Sequence, residues 1–127
     1  MGSDIRVLVV DEDQDVLDLT VTFLERESDA ITALPESSAN TALDRIRTED
    51  VDCVVSDYRM PEMDGLELYD AVGDHDGDLP FFLLTAADDA DTAAAAEAAG
   101  VTGFIRKGAG TEHYTDLADR IETAVGE

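Results

Sequence analysis

Apolar positions along the chain fall into two alternating patterns. Residues 5–10, 30–34, 53–55, 81–84 and 103–105 are short runs rich in branched or aromatic side chains, bounded by Asp, Gly, Pro or Ser. Runs of that kind predict buried strands. Between them the apolar period changes to that of a helix. Leu17, Val21 and Leu24 recur at i, i+4 and i+7, and Ala39, Ala42, Leu43 and Ile46 at i, i+3, i+4 and i+7. Leu117, Ile121 and Val125 recur at i, i+4 and i+8, while Leu68 and Val72 predict a shorter helix after Gly65. The stretch 93–99 is rich in alanine, with Asp88 or Asp89 as its N-cap and Gly100 as its stop. The succession is strand then helix, five times over. Strands separated by helices of this length pair in parallel through right-handed crossovers. The expected architecture is an α/β fold, a five-stranded doubly wound parallel sheet with five helices, flavodoxin-like. In such sheets functional groups gather outside the carboxyl ends of the strands.

Composition fits one domain over residues 1–127, with 44% apolar residues to fill its core. Charge narrows the classes of function. The chain carries 31 Asp plus Glu against 8 Lys plus Arg, a formal net charge of -23. Such a surface repels nucleic acid phosphates and anionic membranes, so no direct nucleic acid or membrane partner is expected. Apolar periodicity throughout argues against disorder. No apolar run approaches the roughly 20 residues needed to span a bilayer. One cysteine excludes an intrachain disulfide, and the N-terminus shows no secretory signal pattern, so a cytoplasmic location is expected. Around 1 M salt the Debye length falls to about 3 Å, which screens the self-repulsion of such a chain. The composition resembles proteins of salt-in halophiles, acidic and poor in lysine. Lys107 is the single lysine, which suggests that its chemistry keeps it.

The carboxyl ends of the predicted strands supply Asp11, Glu12 and Asp13, then Asp57, Thr85 and Lys107; the second strand supplies nothing comparable. Carboxylates brought together raise one another's pKa unless a cation neutralises them. Oxygen donors alone, few in number, suggest Mg²⁺, which keeps several waters. A hydroxyl and an ammonium opposite would match the oxygens of a phosphoryl group. Taken singly, an aspartate at a strand end is usually a helix cap; it is the combination that points to a phosphorylatable carboxylate.

The segments VLVVDEDQDVL, DCVVSDYRMPEMDGLEL, FFLLTA and GFIRK, in this order, resemble the receiver domain of two-component response regulators. The second is the most specific, with Met-Pro and then Asp-Gly following the aspartate. The resemblance implies that Asp57 is the phosphoacceptor, that Asp11 and Glu12 are the acidic metal pair, and that the Arg59 carbonyl completes the protein ligands to Mg²⁺ together with Asp57. It makes Thr85 the hydroxyl that moves toward the phosphoryl group and Lys107 the cation that pairs with it. Ala86 matches the small residue after the threonine, Phe104 the rotating aromatic, and Pro61 and Gly65 shape the loop. Arg59 and Ala87 match the pair that governs hydrolysis, which implies slow autodephosphorylation. The implied partners are a sensor histidine kinase and a downstream effector protein or fused output domain. The implied role is that of a signalling domain assisting its own phosphorylation and dephosphorylation, rather than an enzyme acting on a separate substrate.

Three positions depart from the family pattern. Glu12 stands where Asp is commoner, moving its carboxylate outward by a methylene, so that Asp13 becomes a further candidate ligand. Gly108 stands where proline in a cis peptide is usual; without proline a cis bond costs about 2.5 to 4 kcal/mol, so a trans bond is expected. Phe104 replaces tyrosine and has no hydroxyl to donate.

Other chemistry fits less well. A haloacid-dehalogenase-like phosphatase would use Asp11 as nucleophile and Asp13 as acid, yet lacks the Thr or Val expected at Asp15 and leaves Asp57 without a role. A calcium loop fails on Val16 and Thr22, which stand where glycine and glutamate are needed. Flavin binding would need a hydroxyl- and glycine-rich loop where this one is acidic. A receiver that has lost phosphorylation is the remaining alternative. Cys53 reads as a buried structural thiol, His75 as a solvated loop residue, His113 as a residue near the start of the last helix with no partners for zinc, and Asp88, Asp89 and Asp91 as surface charge.

Overall fold

The computed structural model of the chain describes residues 5–60, 63–75, 79–85, 90–106 and 112–126, with the side chains of 90, 92, 93 and 126 outside that set. Elements run β1 (Ile5–Val10), α1 (Gln14–Glu27), β2 (Ile31–Glu36), α2 (Ala39–Thr48), β3 (Cys53–Asp57), α3 (Gly65–His75), β4 (Phe81–Thr85), α4 (Ala90–Ala99), β5 (Gly103–Arg106) and α5 (Glu112–Gly126). The five strands form one parallel sheet in the order β2-β1-β3-β4-β5. The expected doubly wound architecture is therefore the observed one.

Each central strand is apolar on both faces because both faces are covered. Val7 and Val9 of β1, Cys53 and Val55 of β3, and Phe82 and Leu84 of β4 pack with Leu17 and Leu24 of α1 and with Leu117 and Ile121 of α5. On the opposite face Leu8, Val54, Phe81 and Leu83 pack with Ala42, Leu43 and Ile46 of α2, Leu68 and Val72 of α3, and Ala96 of α4. The helical periods read from the sequence thus mark the buried stripes. No helix among the described residues is long and apolar enough to cross a membrane.

The elements run further than the apolar runs alone indicate. β2 continues through Pro35 to Glu36, which an edge strand allows when the missing N–H faces outward. β3 and β4 extend to Asp57 and Thr85, so both candidate site residues are the last residues of strands. His75, expected in a loop, is the last residue of α3; it remains exposed there and lies in the turn where a partial positive charge suits the helix dipole. α4 stops where expected. Gly100 adopts φ +91°, and its N–H bonds back to the Ala96 carbonyl at 3.1 Å, a left-handed cap that only glycine enters at little cost. Asp88 and Asp89, the expected caps at the other end, lie outside the described residues.

Candidate functional site

The strand register brings the candidate residues to one edge of the sheet. Val10 of β1 lies opposite Ser56 of β3, so Asp11 leaves β1 beside the position from which Asp57 ends β3. Asp57 in turn lies opposite Leu84, one residue before Thr85. Neighbouring strands are about 4.8 Å apart. The ends of β1, β3 and β4 therefore share one small area, at the point where the chain's winding reverses between β1 and β3.

The loop after β1 is fixed by its own carboxylates. Asp11 is 3% exposed; its backbone N–H donates to the Glu36 carbonyl at 3.1 Å, and its Oδ1 accepts from the Asp13 N–H at 2.9 Å. Asp13 is the N-cap of α1, with Oδ1 accepting from the N–H groups of Asp15 at 3.0 Å and Val16 at 3.4 Å. That capping role is what an isolated strand-end aspartate most often does. It engages one oxygen of Asp13 and leaves Glu12, which is exposed, as the acidic neighbour of Asp11 turned toward solvent.

The loop after Asp57 is held against the sheet by its apolar residues. Tyr58, Met60, Met63 and Leu66 are partly buried against the core face shared by α2, α3 and α4. The Tyr58 N–H bonds to the Leu84 carbonyl at 3.0 Å and its own carbonyl accepts from Gly65 at 2.8 Å. At Gly65 a Cβ would overlap Leu83 Cδ1 and lie 2.9 Å from the Asp57 carbonyl, so the loop returns too close to β3 for any side chain. Asp64 and Glu67 then start α3 with a reciprocal pair: Asp64 Oδ1 accepts from the Glu67 N–H at 2.8 Å and Glu67 Oε1 from the Asp64 N–H at 2.9 Å. The Asp-Gly of the sequence motif is thus a helix start closely apposed to the end of β3. Arg59 is exposed two residues beyond Asp57; Pro61 lies outside the described residues.

Thr85 is the least comfortable group in the site. It is 1% exposed, and its Oγ1 is buried without a hydrogen-bond partner among the described residues. A buried hydroxyl left so costs about 1–3 kcal/mol, which an incoming oxygen could recover. Phe104 lies opposite Leu83 in the β4–β5 register, half-buried against the same core face. Lys107, Gly108, Ala86 and Ala87 lie outside the described residues. Among those described, no three His, Cys, Asp or Glu side chains gather as a metal-holding group. A site of few carboxylate and carbonyl oxygens suits a hard cation that retains water and disfavours a dehydrated cage.

Cys53 behaves as expected of a structural residue. It is fully buried at the start of β3, and burial, with the Asp52 carboxylate beside it, pushes its thiol well above the ordinary range.

Known proteins resemble this chain in both sequence and fold. The family model for the response regulator receiver domain matches residues 7–119. The two-component response regulator ARR10 of Arabidopsis thaliana is 41% identical over 86 residues, covering 66% of this chain and 15% of ARR10. The heme response regulator HssR of Staphylococcus saprophyticus is 32% identical over 100 residues, covering 79% of this chain and 43% of HssR. The chain therefore spans less than half the length of these relatives. Among solved structures, the non-phosphorylated HemR receiver domain from Leptospira biflexa superposes with a TM-score of 0.80 at 25% identity, covering 98% of this chain and 96% of that one. A response regulator receiver domain protein from Clostridium thermocellum superposes at 0.84 with 23% identity, covering 96% and 94%.

Proposed function

The chain belongs to the response regulator receiver domain family, and from that premise we propose that Asp57 is its phosphoacceptor, taking a phosphoryl group from a sensor histidine kinase. A carboxylate oxygen of Asp57 attacks phosphorus, the bond from phosphorus to the histidine nitrogen breaks, and the imidazole leaves. The observation that carries this is the strand register. It sets Asp57 between the end of β1, with Asp11, and the end of β4, with a buried Thr85 hydroxyl that lacks a partner among the described residues.

Asp11, Glu12, Asp57 and the Arg59 carbonyl would hold Mg²⁺, which supplies positive charge opposite the transferring oxygens when bound. Asp13 is left to its cap. The Thr85 hydroxyl donates to a phosphoryl oxygen, and Lys107 pairs with another. Movement of Thr85 opens space for Phe104 to turn inward, altering the face built from α4, β5 and α5, which a downstream effector protein or a fused output domain reads. The residue chemistry at Arg59 and Ala87 supports slow hydrolysis of the acyl phosphate. The whole chain is a single domain suited to a salty cytoplasm, a reading supported by the net charge of -23 and the single lysine.

Incubation with acetyl phosphate should add one phosphoryl group by mass, only when Mg²⁺ is present, and Asp57→Asn should abolish the addition. Uptake unchanged in Asp57→Asn would sink the assignment. The melting temperature should rise with KCl toward molar concentrations; equal stability in low-salt buffer would remove the halophilic part alone.

A further inference from the structure

Helices α1 and α3 both start from an aspartate cap, and the two caps differ in where their own N–H goes. At α3 the Asp64 N–H is taken by Glu67 Oε1, three residues into the helix, at 2.9 Å. At α1 the corresponding third position is Val16, whose side chain has no acceptor. The Asp13 N–H turns back instead and donates to Asp11 Oδ1 at 2.9 Å. A bond that at α3 completes a capping box is spent at α1 on a carboxylate of the candidate site.

Asp11 is therefore held from two directions. Its N–H donates to the Glu36 carbonyl of β2 at 3.1 Å, which fixes the main chain as it leaves β1, and the Asp13 N–H fixes one carboxylate oxygen. The place of Asp13 is set in turn by α1: its Oδ1 accepts from the N–H groups of Asp15 and Val16, and its carbonyl accepts from Leu17 at 2.9 Å. α1 is a firm base for this turn because Leu17 and Leu24 anchor it in the core. At the end of β4 the buried Thr85 hydroxyl, without a hydrogen-bond partner among the described residues, independently marks this edge of the sheet as a place for a ligand.

We propose that Asp13 is a positioning residue for the metal: by capping α1 it keeps its own N–H on Asp11 Oδ1, and so assigns the buried Asp11 Oδ2 to the cation or to one of its waters, without coordinating the ion itself. The inference rests on the Mg²⁺ site proposed above and deepens it. Groups that orient a metal ligand without touching the metal typically matter by 10–100-fold in affinity. Asp13 acts through the turn and not through its charge, because the oxygen that caps α1 is what places the N–H. Exposed Glu12, between the two aspartates, is the carboxylate left to meet the ion from the solvent side.

The test is a Mg²⁺ titration of the whole chain followed by ¹⁵N NMR shifts, in about 1 M KCl, where a Debye length of about 3 Å suppresses the pull of a charge that does not touch the ion. Asp13→Ala removes the cap and should weaken Mg²⁺ binding by about tenfold. Asp13→Asn keeps an oxygen that caps as well as aspartate does and should restore affinity to within about twofold of the wild type. The amide of residue 13 should exchange several-fold faster in Asp13→Ala alone. Ile46→Val, which loses core packing on α2, should bind Mg²⁺ as the wild type does. An equal loss in Asp13→Asn and Asp13→Ala would make Asp13 a ligand, and unchanged affinity in Asp13→Ala would remove any role; either overturns the inference. A loss in Ile46→Val as large as that in Asp13→Ala would overturn it too, by tracing the effect to stability. Mg²⁺-dependent phosphoryl uptake on the same samples separates the two readings: uptake intact with affinity blind to the cap overturns the positioning role alone, and a wild type that binds no Mg²⁺ overturns the metal site with it.

Discussion

α2 and α4 are both ten residues long and both cover the same face of the sheet, yet they are fastened to it in different ways. α2 buries Ala39, Ala42, Leu43 and Ile46. It is also tied down by charge: Arg45 reaches Glu36 of β2 at 3.0 Å and Glu49 at 3.2 Å, and Glu49 reaches Arg6 of β1 at 3.2 Å. Among the described side chains of α4, only Ala96 is buried, and the helix is anchored at its end by the glycine cap and by the Tyr69 hydroxyl donating to the Gly100 carbonyl at 2.9 Å. Few buried apolar contacts mean a low cost of local opening. The flank at β2 and α2 is thus a fixed frame, and α4, as far as its described residues show, is the more lightly fastened flank, the one the proposed switch at Asp57 and Thr85 would act on.

The largest expected effect compares the two helices directly. Ile46→Ala should lower the unfolding free energy by about 2–5 kcal/mol through lost burial and a cavity, whereas Ala96→Gly should cost about 1 kcal/mol, both measured by urea denaturation. Equal losses would break the distinction between fixed and movable flanks. A change of opposite sign is expected between them, at Thr85. Thr85→Val removes a buried hydroxyl without a partner among the described residues and should stabilise the fold by about 1 kcal/mol, while weakening the response of α4 and β5 to phosphorylation as read by hydrogen exchange. Destabilisation with an intact response would show that the hydroxyl serves the resting fold. The smallest effect belongs to the frame's ion pairs. Arg45→Ala should cost roughly 1 kcal/mol or less at low salt and less again in molar KCl; a cost that grows with salt would count against a charge-based tether.

Much of this contrast was legible in the sequence because both patterns are local. The four buried positions of α2 are the four that its period marks, and the alanine run of α4 offers little to bury. What was not legible is long-range or depends on context. Arg6 and Glu49 are 43 residues apart, so nothing in their neighbourhood announces their pairing. β2 passes through Pro35 only because its position on the sheet edge removes the need for that N–H. His75 reads as a loop residue because Asp74, Asp76 and Gly77 surround it in the sequence, whereas α3 continues through Gly73 and Asp74 and ends on it. The reciprocal bonding of Asp64 and Glu67 did leave a signal, an acidic cap followed three residues later by glutamate, within a segment otherwise read for its chemistry. Asp11, Asp57 and Thr85 were found together because strand ends in a parallel sheet share one edge, whereas the engagement of Asp13 as a cap required the geometry of the turn.

The central claim is that one carboxylate among several accepts the phosphoryl group. Treating the Mg²⁺ and acetyl phosphate product with sodium borohydride reduces an acyl phosphate at the side chain that carries it, and tandem mass spectrometry of the digest then gives its position. The account predicts reduction at Asp57 alone; reduction at Asp11 or Asp13, with Asp57 intact, would contradict it.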